Sequence, residues 1–161
     1  MHTVYLGLGA NLNAPQEQLD TAIQALKTLP ECEFVCTSHY YASKPMGPQD
    51  QPDYINAVAC IKTSLSALQL LDLTQAIEQQ HGRVRKAQRW GPRTLDIDIL
   101  LFADQCIEND RLTVPHYGLC LREFVVYPLL EIAPDLVLPN QQLLADIANS
   151  LPLNDLQQLP Q

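Results

Sequence analysis

The chain has 161 residues, 47% of them hydrophobic and 17% charged, a composition that builds a buried core and excludes a disordered chain. Ten Lys and Arg against eighteen Asp and Glu leave a net charge of −8, which argues against nucleic acid or an anionic membrane as partner. No apolar run approaches the ~20 residues of a membrane span, and the Met1-His2-Thr3 start does not open a secretory signal. A single cytoplasmic domain over residues 1–161 is expected. The five cysteines (Cys32, Cys36, Cys60, Cys106, Cys120) are odd in number and form no C-x-x-C pair. They read as reduced thiols acting as small hydrophobes, and not as a zinc site or disulfide framework.

Thr3 to Ala10 predicts a first strand, with glycines at 7 and 9. Asn13-Ala14-Pro15 opens a helix in which Leu19, Ala22, Ile23, Leu26 and Leu29 recur at helical spacing until Pro30. Phe34 to Tyr41, rich in aromatic and β-branched residues, predicts a second strand. Ala42 to Asp53 holds three prolines and a glycine and predicts a loop. Tyr54 to Thr63 predicts a third strand, Ser66 to His81 a second helix, Gly82 to Arg93 a second loop, and Thr94 to Phe102 a fourth strand. This βαββαβ order predicts an α+β, ferredoxin-like fold: a largely antiparallel sheet with both helices on one face and the other face left for ligand or further elements. The tail adds a turn at Thr113-Val-Pro-His116, a helix over Arg122 to Leu130 and an amphipathic stretch over Leu143 to Leu151.

Charge is segregated. Arg83, Arg85, Lys86, Arg89 and Arg93 are half of the basic residues, gathered in eleven positions without an acid. Arginine forks match phosphate oxygens in pairs, so such a loop on an acidic body suits a small, highly charged anion better than it suits a merely solvated surface. The loop leads into Leu95-Asp-Ile-Asp-Ile-Leu-Leu101. In a strand, Asp96 and Asp98 share one face and Leu95, Ile97, Ile99 and Leu101 the other. Two carboxylates about 7 Å apart repel each other, and aspartate is a poor strand former, so a hard divalent cation is the better explanation than an exposed edge strand. Metal-holding acids beside phosphate-holding arginines point to phosphoryl-type transfer. The chain lacks a P-loop, and Gly7-Leu-Gly is too little for a dinucleotide fingerprint. The third strand places Tyr54, Asn56, Val58 and Cys60 on one face, a ring beside an amide that could stack on and read a planar heterocycle, although a satisfied half-buried pair is the more common reason for such a row. His116 reads as a phosphate donor or as a plain turn residue, and His81 as a partner of a helix C-terminus. Trp90, between Arg89 and Gly91, reads as a ring closing over substrate.

Arg89-Trp-Gly-Pro-Arg-Thr-Leu-Asp-Ile-Asp-Ile-Leu100 resembles the signature of the 6-hydroxymethyl-7,8-dihydropterin pyrophosphokinase family. Gly7-Leu-Gly-Ala-Asn-Leu12, Gly47-Pro-Gln-Asp-Gln-Pro-Asp-Tyr-Ile-Asn56, Gly82-Arg-Val-Arg-Lys86, Leu112-Thr-Val-Pro-His-Tyr117, Arg122, Phe124 and Pro128-Leu-Leu-Glu-Ile-Ala-Pro134 extend the resemblance over residues 3 to 140. It implies transfer of pyrophosphate from ATP to the pterin's hydroxymethyl oxygen, with release of AMP. It implies that Asp96 and Asp98 hold two Mg²⁺ ions along the triphosphate, and that Arg83 and Arg93 act catalytically by binding the phosphates. Gln75, Glu78, Arg83, Arg85, Trp90, Arg93, Ile99, Arg111, Thr113, His116, Tyr117 and Arg122 are implied to form the ATP site. Tyr54 and Phe124 are implied to sandwich the pterin with Trp90 nearby, while Asn56 and the backbone of Ser43, Lys44 and Met46 read its polar edge. Ala10 and the Ser43-Lys-Pro-Met46 stretch depart from the commonest family pattern. A monomer is expected, with ATP and the pterin as partners. The competing readings are a metal-dependent phosphodiesterase and a non-catalytic nucleotide-sensing module on the same fold.

Overall fold

Alternation shapes the first strand, β1 (His2–Ala10), whose Val4, Leu6, Leu8 and Ala10 are all buried. The computed structural model, which describes residues 1–12, 14–44, 52–81 and 94–160, continues through α1 (Pro15–Lys27), β2 (Cys32–Thr37), β3 (Tyr41–Ser43), β4 (Tyr54–Thr63) and α2 (Ala67–Gln80). From residue 94 onward come β5 (Asp96–Phe102), the hairpin β6 (Ile107–Glu108) and β7 (Thr113–Val114), then α3 (Glu123–Ile132), α4 (Leu144–Ser150) and β8 (Gln157–Gln158). Pro15 sits in the first turn of α1, where its missing N–H costs nothing. A reciprocal cap starts α2: the Gln69 amide donates to Ser66 Oγ at 3.2 Å and the Ser66 amide to Gln69 Oε1 at 2.9 Å.

β1 lies between β4 and β5. The other edge of β4 is shared by β2 and β3, β8 lies outside β3, and every pairing is antiparallel. This is the ferredoxin-like arrangement expected from the sequence. Leu19, Ala22, Ile23 and Leu26 of α1 and Leu70, Leu71 and Ile77 of α2 pack with Ile55, Ala57, Ala59 and Ile61 of β4 on one face. On the opposite face Val58, Leu100 and Leu101 pack with Val125, Val126 and Leu129 of α3 and with Leu144 and Ala148 of α4.

Four expectations change. The single strand Phe34 to Tyr41 is two strands, because Ser38 puts its side chain into the ladder. Its amide donates to the Val58 carbonyl at 2.9 Å, but the Val58 amide donates to Ser38 Oγ at 3.0 Å instead of to a carbonyl. Ala42 and Ser43, placed in a loop by the sequence, form β3 opposite Ile55 and Tyr54. Leu101 does not share a face with Ile97 and Ile99. The β1–β5 register shifts between Tyr5 and Leu6, pairing Tyr5 with Leu101 and Leu6 with Ile99, so Leu100 is an extra residue. Leu100 and Leu101 therefore both serve the α3 side, and Phe102 returns to the α1–α2 side. The fourth strand begins at Asp96 and not at Thr94.

The break between β2 and β3 is fastened to α3 through Glu131. Its carboxylate accepts the His39 amide at 3.0 Å, His39 Nδ1 at 2.8 Å and the Tyr41 hydroxyl at 2.6 Å. Burial pushes the Glu131 carboxyl up, but the hydrogen bonds from Tyr41 and His39 outweigh it and hold it below the usual carboxylate value. Glu131→Ala is expected to lower unfolding free energy by about 2 kcal/mol, since three donors lose a charged acceptor. A carboxyl depressed in the folded state stabilises fully above its unfolded value of 4.5 and less as pH falls through the folded value. Urea titrations of both proteins should therefore show a constant gap near neutrality that narrows in acid. A gap independent of pH would overturn this assignment.

Candidate active site

Glycines open the floor on the face of the sheet turned away from α1 and α2. Gly9 pairs in register with Asn56 on one side and Asp96 on the other, and Gly7 with Val58 and Asp98. A Cβ at position 9 would lie 3.2 Å from Asn56 Oδ1 and 3.9 Å from Tyr54 Cδ1, so its absence leaves room above β1 beside the amide and the ring. Asn56 is 4% exposed. Its Nδ2 donates to Ser43 Oγ at 2.7 Å and to the Tyr41 carbonyl at 3.4 Å. Among the described residues nothing donates to its Oδ1, which a ligand N–H could satisfy.

Ile97 and Ile99 are buried against the helices, which turns Asp96 and Asp98 to the open face as strand alternation requires. The Ile99 side chain thus lies on the far side of the sheet from the aspartates. From α2, Glu78 Oε2 accepts the Ile97 amide at 2.8 Å. This carboxylate, 4% exposed, stands where a further strand would offer a carbonyl, and it fixes the backbone between the two aspartates.

His116 approaches from the turn after β7. Its amide donates to the Leu100 carbonyl at 3.0 Å, and Nε2 lies 3.7 Å from Asp98 Oδ2. The Gly118 amide donates to His116 Nδ1 at 3.1 Å, which assigns the ring hydrogen to Nε2, facing the aspartate. Burial pushes the His116 pKa down; the Asp98 carboxylate opposes this and Arg122 adds to it. With Nδ1 accepting, the Nε2–H is aimed at the acidic face. Arg122 precedes α3, with its guanidinium carbon 5.2 Å from the Tyr117 ring centroid and 5.8 Å from that of Phe124.

Gln75 and Arg111 are in contact: Arg111 Nη2 donates to Gln75 Oε1 at 3.3 Å. It also donates at 2.6 Å to Asp72, a residue that sequence reasoning passed over. Thr113 is exposed on β7 opposite Glu108. Lys44, 60% exposed, lies 3.9 Å from Asp53 and not against Asn56. His81 stands at the C-terminal end of α2, where the sequence reading put it, and its Nδ1 donates to Gln18 Oε1; burial lowers its pKa. Asn11, 2% exposed, donates to the Pro52 carbonyl at 2.9 Å. The expectations for Met46, Arg83, Arg85, Trp90 and Arg93 lie outside the described residues. A cavity of about 490 Å³ lined by Tyr41, Tyr127, Leu130, Glu131, Leu153, Leu156 and Gln158 contains none of the candidate residues.

Among the described residues no group of three or more His, Cys, Asp or Glu side chains is placed to hold a metal ion. The pair Asp96 and Asp98 still fits a hard divalent cation of the Mg²⁺ type. Such an ion binds through one or two carboxylates and takes its other oxygens from water and substrate phosphate.

Fold and site together define a ferredoxin-like α+β domain with an acidic, glycine-floored ligand face. A sequence model of the 7,8-dihydro-6-hydroxymethylpterin-pyrophosphokinase (HPPK) family matches residues 5–134, and the chain belongs to that family. Relatives include the 2-amino-4-hydroxy-6-hydroxymethyldihydropteridine pyrophosphokinase of Haemophilus influenzae, 57% identical over 91% of this chain and 91% of its own. The Pseudomonas aeruginosa protein of the same name is 49% identical over 98% of this chain and 96% of its own. Among solved structures, an HPPK-DHPS in complex with substrates superposes with a TM-score of 0.71 at 12% identity, over 93% of this chain and 45% of that one. The wild-type HPPK-DHPS of Plasmodium falciparum with pteroate gives 0.71 at 14% identity, over 92% and 42%. At these identities the likeness concerns the fold, and the chain spans less than half the length of those solved proteins.

Proposed function

We propose that this chain transfers the pyrophosphoryl group of ATP to the hydroxymethyl oxygen of 6-hydroxymethyl-7,8-dihydropterin. The oxygen forms a bond to the β-phosphorus, the bond from that phosphorus to the α-phosphate oxygen breaks, AMP leaves, and the hydroxyl proton is released. The observation that carries the reading is the single sheet face on which Asp96 and Asp98 stand one strand away from Asn56 across two glycines. An acidic half suited to metal-bound phosphates thus adjoins a half suited to a flat heterocycle.

In this reading Asp96 and Asp98 hold Mg²⁺, two ions, whose chemistry is to neutralise phosphate charge. Glu78 keeps the backbone between them in place. His116 offers its Nε2–H and Arg122 its guanidinium to phosphate oxygens, with Arg83, Arg85, Trp90 and Arg93 joining from the basic segment. Gln75, Arg111, Thr113, Tyr117 and the backbone at Ile99 border the nucleotide. Tyr54 and Phe124 stack on the pterin. Asn56, held by Ser43, presents its carbonyl to the pterin's N–H groups, and the backbone of Lys44 and Met46 completes that edge. Among the described residues of this face no side chain is a strong general base, so alignment and electrostatics supply the rate.

The same reading makes residues 1–161 one domain, working as a monomer in the cytoplasm. Its five cysteines are unpaired thiols, and no described helix is long and apolar enough to cross a membrane. The test is product analysis of ATP incubated with the full chain. AMP should form only when the pterin and Mg²⁺ are both present, and chelator should stop it. ADP as product would overturn the reaction, and AMP without pterin would turn the reading to a phosphodiesterase. Tight ATP binding without product would leave a sensing module.

A further inference from the structure

The turn that carries His116 to α3 contains a residue whose lack of a side chain makes room for Arg122. Gly118 is buried. Its amide donates to His116 Nδ1 at 3.1 Å, and its carbonyl accepts the Leu121 amide at 3.2 Å. Its Cα faces the Arg122 side chain: a Cβ at position 118 would lie 2.5 Å from Arg122 Nε, 2.8 Å from Cζ and 3.0 Å from Cδ. No side chain fits there while the guanidinium keeps its place. That place is defined from two sides by the Tyr117 and Phe124 rings, and by Nη2 donating to the Tyr117 hydroxyl at 3.4 Å.

We propose that Gly118 is a positioning residue that seats the Arg122 guanidinium and so sets the affinity of this site for a nucleoside triphosphate. The inference rests on the reading that this face binds ATP. An arginine on a flexible stem loses rotamer entropy when it binds an anion, whereas one already held over two rings offers its fork pre-organised. A methyl group at 118 displaces the fork without removing the charge. It leaves the Gly118 amide and its bond to His116 in place, and the collision is with the far end of a side chain, not with backbone.

The experiment is a double-mutant cycle on the full chain. Binding of α,β-methylene-ATP with Mg²⁺ is measured by calorimetry for wild type, Gly118→Ala, Arg122→Ala and the double variant. Gly118→Ala should weaken binding about tenfold, the loss of one charge-assisted contact. The double variant should bind no worse than Arg122→Ala alone, because the methyl acts only through the guanidinium. The thermal midpoint of Gly118→Ala should stay within about 4 °C of wild type. Wild-type affinity in Gly118→Ala overturns the inference, as do losses that add in the double variant. Failure of Gly118→Ala to fold also overturns it, since the clash would then not be confined to Arg122. A wild-type chain that does not bind the analogue overturns the nucleotide reading itself, a result distinct from all three.

Discussion

Asp98→Ala and Asp96→Ala are each expected to keep the fold and lower turnover by about a thousandfold or more, the scale on which removal of a charge-stabilising group acts. Neither carboxylate supports the core. Asp98 is 43% exposed, and both face away from the helix side on which Ile97 and Ile99 are buried. Removing either relieves repulsion along β5, so the thermal midpoint should not fall with activity. Asp98→Asn is the sharper variant because it keeps the shape and loses the charge. Its turnover should fall as far as that of the alanine variant, with kcat measured at saturating ATP and Mg²⁺. Turnover within tenfold of wild type in either alanine variant would remove the metal assignment.

Asn56→Leu should raise KM for the pterin about a hundredfold and leave KM for ATP nearly unchanged. The replacement has similar volume but offers no polar edge. A site built around hydrogen bonds discriminates strongly when one partner is apolar, because the other partner's polar groups are left unpaired. Asn56 is buried and already gives its Nδ2 to Ser43 and Tyr41, so a modest fall in stability, about 1 kcal/mol, accompanies the change. Steady-state kinetics with each substrate varied separates the two KM values. Equal rises in both would mean that the floor itself had moved, and an unchanged pterin KM would take Asn56 out of the site.

The parts of the fold that were legible in the sequence carry a strong period. β4 runs over the expected Tyr54 to Thr63 because its inner row of Ile55, Ala57, Ala59 and Ile61 alternates without a break. Both helices show their buried positions at 3.6-residue spacing, and Ser66 with Gln69 announces the start of α2. What was hidden depends on atoms that periodicity does not register. Ser38 ends β2 by lending a hydroxyl to a neighbouring amide. β8 consists of two exposed glutamines that pair with Tyr41 and Ala42, with Gln158 Oε1 also accepting the Tyr41 hydroxyl at 3.2 Å. In the site, the acidic pair and the Tyr54–Asn56 row could be read directly, since charge on an apolar strand is a visible contradiction. Glu78 entered only through the family resemblance, as an ATP-site residue, and its bond to the Ile97 amide follows from packing between elements distant in sequence. Gly118 could not be found, because its role exists only once Arg122 folds back over it.

The extra residue at Leu100 has an effect on how this strand tolerates change. A strand in strict alternation carries one phase from end to end, so altering one end constrains the other through register. Here the phase is reset between Ile99 and Leu101, and β5 behaves as two short strands in series. In residues 96 to 99 acids on one face alternate with buried isoleucines on the other, whereas residues 100 to 102 are buried throughout. Substitutions in the two halves can therefore drift independently, and the same strand can harbour a demanding chemical half beside a half that a random library would be free to repack.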